Sequence, residues 1–174
     1  MKNPVTDICD LNRELPPDAP DAPQWLVDAL QVPREEGWVN SDGCDVHYFR
    51  WGDPANPPLL LMHGFLAHAR CVAFIAPFLA EQYHVVAYDL SGMGDSGVRS
   101  SYPDAVRAQE VVDVARETGL FDHAIKPIVI AHSYGGHVGL AAMNDFHELF
   151  GGLVVCDLMV LRPCLLYTSP SPRD

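Results

Sequence analysis

One serine in this chain stands where it could become a nucleophile. In IVIAHSYGGHVG, residues 128–139, Ser133 separates an apolar, β-branched run from a glycine pair and a helix-like pattern. Small residues lie two positions before it, at Ala131, and two after, at Gly135. This has the form of a nucleophile elbow, where the backbone turns from strand to helix so sharply that larger flanking side chains would clash and the hydroxyl is held above the sheet edge. The alternative is an ordinary helix N-cap. A serine hydroxyl attacks a carbonyl when a base takes its proton and backbone N–H groups receive the oxyanion. The N–H of Tyr134, first in the helix, is one candidate donor.

Two further loops follow apolar strand-like runs. In LLLMHGFL, residues 59–66, His63-Gly64 lets the chain turn tightly, so that the N–H of Phe65 can point into a site where negative charge develops; a plain glycine turn reads the same way. In DLSGMGDSG, residues 89–97, Gly92, Gly94 and Gly97 have the spacing of a dinucleotide-binding turn. Such a turn opens directly onto an apolar helix, whereas VRSSYP follows here and Pro103 arrives before any helical period. The sequence therefore assigns no cofactor. Asp89 and the glycines are expected to shape a loop beside the site, with Asp89 bonding backbone N–H groups.

A base for Ser133 is harder to find. His137, four residues on, follows the helix away from the hydroxyl, and His147 lies at the helix's far end; both read as helix surface or packing. His132 precedes the serine and His63 belongs to the first turn. Asp157, ending LVVCDL, is a candidate acid or a strand-end cap.

The elements that would position these loops are short strands alternating with helices. Strand-like runs cover 38–39, 46–51, 58–62, 84–90, 125–131 and 152–160, and helix-like stretches cover 69–81, 103–117 and 135–150. A short helix, QWLVDALQ, spans 24–31. Such alternation implies an α/β fold with a mostly parallel sheet covered on both faces. The chain's 174 residues, 48% hydrophobic and 20% charged, suit one globular domain. A net charge of -12 without any basic cluster excludes a nucleic-acid partner. Five cysteines, an odd number without ligand-like spacing, suggest neither a disulfide framework nor a metal site and fit a reducing cytoplasm. No stretch approaches the roughly 18 apolar residues of a membrane span, so no membrane partner is expected.

HGF after one strand, DxxGxGxS after the next and AHSYGG after a third resemble the α/β-hydrolase superfamily over about residues 37–160. The first elbow position, Ala131, is more often glycine in that family. The resemblance implies Ser133 as nucleophile, Phe65 and Tyr134 as backbone oxyanion donors, and structural roles for Asp89 and His63. Family members with aspartate at the elbow are haloalkane dehalogenases and epoxide hydrolases, so serine points to esters, thioesters, amides or activated C–C bonds of a small-molecule substrate. Chain order in the family is serine, acid, histidine, and some subfamilies keep the acid where Asp157 stands. A non-catalytic, hydrolase-like ligand-binding or receptor protein is the alternative.

The last residues, CLLYTSPSPRD, extend neither strand nor helix and can be encoded by a nucleotide string resembling a transposase-type sequencing adapter read in frame. The expected organisation is an arm with a short helix at 1–36, a partial hydrolase core at 37–163 and a non-native tail at 164–174. On that expectation the fold is truncated before its cap and last strands, and the catalytic histidine lies beyond this chain.

Overall fold

A computed structural model describes residues 23–158. The expectations for the arm before Pro23 and for the tail at 164–174 lie outside them. Helix α1 (Gln24–Gln31) precedes a hairpin of β1 (Glu35–Ser41) and β2 (Cys44–Trp51). The hairpin closes on Asp42 and Gly43, with φ of 46° and 75°, the pair of left-handed residues that a two-residue type I′ turn requires. There follow β3 (Pro58–Met62), α2 (Ala76–Ala80), β4 (His84–Tyr88), α3 (Asp104–Glu117), β5 (Ile128–His132), α4 (Tyr134–Phe146) and β6 (Gly152–Cys156). Among the described residues the strands form one sheet in the order β1-β2-β4-β3-β5-β6. It is antiparallel at β1–β2 and β2–β4 and parallel from β4 through β3 and β5 to β6.

Every residue of β3 and β4 is buried, as expected for parallel strands with both faces covered. Successive side chains of β3 enter opposite layers. Leu60 and Met62 pack with Val86 and Tyr88 against Ala108 and Val111 of α3 and Val138 of α4. Leu59 and Leu61 join Phe49, Trp51 and Val85 on the other face, beside Ala69, Ala73 and Ala76. Each such leucine contributes about 1.5–3 kcal/mol on burial, so the centre of the sheet is a stiff base for the loops at its C-terminal edge.

Several elements differ from expectation: β4 stops at Tyr88 and β6 at Cys156, short of the 84–90 and 152–160 anticipated. The helix anticipated over 69–81 is a 3-10 turn at Ala69–Val72 followed by α2, with Pro77 in the first turn of α2. Proline has no N–H to donate back to Ala73, so one continuous helix cannot run through that position. The strand before the elbow starts at Ile128, because Pro127 cannot donate into the ladder. Strand β1 is longer than Trp38-Val39 suggested, its ladder reaching back through Glu35 and Glu36 opposite Arg50 and Phe49. No helix among the described residues is long and apolar enough to cross a membrane.

Candidate active site

Strand β5 ends against a residue in a conformation that few serines adopt. Ser133 has φ 50° and ψ -117°, and its side chain makes no capping bond to α4. An N-cap serine has an extended backbone and lends its oxygen to the second or third helical N–H, so Ser133 is not a cap. Holding a residue there costs about 1–3 kcal/mol, which the surroundings must over-determine. They do so by hydrogen bonds and by close approach. The Ser133 N–H donates to the Cys156 carbonyl at 2.9 Å, and its own carbonyl accepts from Gly136 at 2.8 Å. A Cβ at Gly135 would lie 2.5 Å from the His63 carbonyl oxygen and 3.1 Å from the Met62 Cβ. Only glycine lets α4 start this close to the end of β3, the physical reason for a small residue two places after the serine. Ala131, two places before, is fully buried.

The loop leaving β3 lies on the same corner. A Cβ at Gly64 would sit 2.9 Å from His132 Nδ1 and 3.3 Å from Ser133 Cβ. His63 is buried and accepts the Leu90 N–H on Nε2 at 3.0 Å, which places its proton on Nδ1, where it donates to the Gly64 carbonyl at 2.7 Å. Burial lowers its pKa, with the Gly64 bond opposing, and the neutral ring ties the β3 loop to the β4 loop. Phe65 follows, its ring edge-on to Tyr134 with centroids 5.6 Å apart. Among the described residues, no acceptor meets the backbone N–H of Phe65 or of Tyr134. The fold thus brings Ser133, Phe65 and Tyr134 to adjoining C-terminal ends of β3 and β5, where open α/β sheets place their sites.

Asp89 organises the third loop from beneath. Its fully buried carboxylate accepts the N–H groups of Ala69 at 2.5 Å and Asp95 at 2.9 Å and bonds His47 Nδ1 at 2.8 Å. Gly94 has φ 54°, and a Cβ there would overlap the Asp89 carboxyl carbon at 2.3 Å. Gly92 accepts a turn at φ 80°, donating to the Gly97 carbonyl at 2.7 Å. The three glycines wrap the loop around Asp89 and do not open a helix, since α3 begins only at Asp104. His47, Asp89 and Asp95 form the one metal-sized group among the described residues, but its atoms are already committed: Arg70 pairs with Asp95 at 2.5 Å.

All eight histidines lie among the described residues, and none hydrogen-bonds Ser133. His137 Nε2 meets Asp104 at 3.2 Å and His147 meets Glu148 at 3.7 Å, both at the surface. His132 Nε2 is 4.0 Å from Asp157, beyond hydrogen-bonding length, and the Asp157 side chain is 91% exposed with φ 57°. Asp157 therefore stands beside the elbow without orienting any histidine.

Sequence reasoning missed the charged groups behind the site. Arg107 and Glu110 of α3 are buried; Glu110 accepts the Ser91 N–H at 3.0 Å, and Arg107 donates to the Ser91 hydroxyl at 3.0 Å. Arg99 adds a contact to Glu110 at 3.3 Å. A signal was present: Arg107 and Glu110 share the helical spacing of the apolar Val111 and Val114, which puts both on the core-facing stripe.

A family model described as "Alpha/beta hydrolase family" matches residues 59–173. The hydrolase YugF of Bacillus subtilis is 28% identical over 116 residues, covering 66% of this chain and 41% of its own length. A soluble epoxide hydrolase of Corynebacterium is 29% identical over 132 residues, covering 75% of this chain and 43% of its own. The crystal structure of a membrane phospholipase A superposes with a TM-score of 0.68 at 32% identity, over 75% of this chain and 42% of that one. The chain spans about two-fifths of the length of these relatives.

Proposed function

The chain belongs to the alpha/beta hydrolase family, and from that premise we propose that it carries the nucleophile and oxyanion site of a serine hydrolase. Ser133 Oγ attacks the carbonyl carbon of an ester, thioester or amide, or of a ketone with an activated C–C bond. The C–O bond to the serine forms as the carbonyl π electrons move onto oxygen, where the N–H groups of Phe65 and Tyr134 stabilise the negative charge. The hydroxyl proton passes to a histidine base and from it to the leaving group; water then releases the acyl group from Ser133 by the same route in reverse. The observation that carries this reading is the uncapped Ser133 at φ 50°, at the same sheet corner as the N–H groups of Phe65 and Tyr134, which meet no acceptor among the described residues.

The base is supplied by sequence outside this chain, as its own eight histidines are engaged elsewhere or unbonded to Ser133. Losing the base alone costs about a millionfold in a serine hydrolase, so residues 1–174 by themselves should turn over near background. The test is hydrolysis of p-nitrophenyl acetate by the full-length gene product containing this chain, with Ser133→Ala as comparison. Turnover that Ser133→Ala removes supports the proposal. Full turnover in Ser133→Ala refutes the nucleophile, and saturable ligand binding without any turnover favours a non-catalytic binding protein.

A further inference from the structure

Resting on that reading, we propose that the Tyr134 side chain is a positioning residue for the oxyanion site, distinct from the donor role of its backbone. Three elements meet on its ring. From the β3 loop comes Phe65, edge-on at 5.6 Å and 72°. From α3 comes Arg107, whose guanidinium carbon is 5.9 Å from the Tyr134 ring centre. From the next turn of α4 comes His137, stacked at 6.1 Å and 21°. Two of these three groups are fixed elsewhere: Arg107 lies over Tyr102 at 4.5 Å and bonds Ser91, and His137 is held by Asp104.

Phe65 is the exception. Its side chain is 64% exposed, and the next residue, Leu66, is 82% exposed with φ 55°. The segment belongs to no helix or strand, and its nearest backbone tie is Ala67 N–H to the Gly64 carbonyl at 3.3 Å. The carbonyl of the Gly64–Phe65 peptide is held by His63 Nδ1–H at 2.7 Å, so the ring contact to Tyr134 steadies the other end of that peptide, at the Phe65 Cα, and with it the direction of the Phe65 N–H. A donor misplaced by a fraction of an ångström loses effect on the transition state while ground-state binding barely changes.

The test uses the full-length gene product with a fluorophosphonate, which phosphonylates the serine: the Oγ–P bond forms, fluoride leaves and the hydroxyl proton passes to the base. Ester kinetics run in parallel. Expected for Tyr134→Ala is a labelling rate and kcat lower by about tenfold to a hundredfold with KM within about twofold, less than the 10²–10³ of losing a donor outright. Tyr134→Phe should recover most of that loss, and Tyr134→Leu, which keeps apolar bulk without a ring, should not. Equal rates in Tyr134→Ala and the unmodified protein overturn the inference while leaving Ser133 as nucleophile. A loss seen in KM instead of kcat, or recovery by Tyr134→Leu, overturns it as well, since either assigns the ring a space-filling or substrate-binding role. Absence of labelling in the unmodified protein removes the oxyanion site and this inference with it.

Discussion

Gly135→Ala should destabilise the protein although alanine is the better helix former. In a helix interior the change gains about 1 kcal/mol, and less in the first turn, where Gly135 lies. Against this, the new Cβ would stand 2.5 Å from the His63 carbonyl oxygen, about 0.9 Å inside ordinary contact. The obstruction is backbone at the end of β3, which is paired on both sides by β4 and β5 and cannot give way as a side-chain tip would. Overpacking of that kind costs about 1–3 kcal/mol, so the net loss should be about 1–2 kcal/mol. Two glycines serve as internal comparisons. At Gly139 the Cβ meets the Leu153 Cδ1 at 2.9 Å, the free end of a flexible side chain, and at Gly152 it meets nothing within 4 Å. Alanine should be near neutral at Gly139 and neutral to stabilising at Gly152. In urea unfolding with unchanged m, Gly135→Ala should lower the midpoint by about 1 M, and the other two should not. A Gly135→Ala variant as stable as the unmodified protein would refute the close-approach explanation of the elbow.

Asp89→Asn should cost about 3 kcal/mol, because it replaces the carboxylate facing the buried His47 ring with an amide and loosens the turn at Ala69 and Asp95; thermal unfolding measures it. The same group makes stability pH-dependent at both ends. Burial pushes the Asp89 pKa up, but its bonds from His47 and from two N–H groups prevail and hold it below its ordinary 3.8, so its contribution is present above that value and lost as pH falls through the lower folded one. Burial pulls His47 down, yet Asp89 and Glu36 hold it above 6.5, so its contribution is full below 6.5 and lost as pH rises through the folded value. Unfolding free energy followed against pH should show the pair's full contribution between those limits, and Asp89→Asn should flatten the acid limb. Strand β6 pairs only with β5 among the described residues and exposes Val154 and Val155, so residues 1–174 should self-associate through that edge. Val154→Lys should raise the monomer fraction in size-exclusion chromatography.

The parts of the fold that could be read from sequence were those with local causes. Fully apolar runs such as PLLLM, glycines at turns and the helix-like spacing after Ser133 each carry their geometry with them, and β3, α3 and α4 lie where those signals put them. The elbow was legible for the same reason: Gly135 is glycine because the His63 backbone leaves no room for a side chain, and Ala131 is a small, fully buried residue on the strand before it. What could not be read depends on partners distant in sequence. His47 and Asp89 form a buried pair that Glu36 reaches from the surface, across β1, β2 and the β4 loop, and no spacing rule joins them. The break in the 69–81 segment comes from Pro77, a local signal set among apolar residues that share a helical spacing.

The most direct test of Ser133 as nucleophile is peptide mass spectrometry of the full-length gene product after treatment with a fluorophosphonate. A single phosphonyl adduct on the peptide containing Ser133, absent in Ser133→Ala, is the predicted result. An adduct on another residue, or ester turnover that persists while Ser133 stays unmodified, would contradict it.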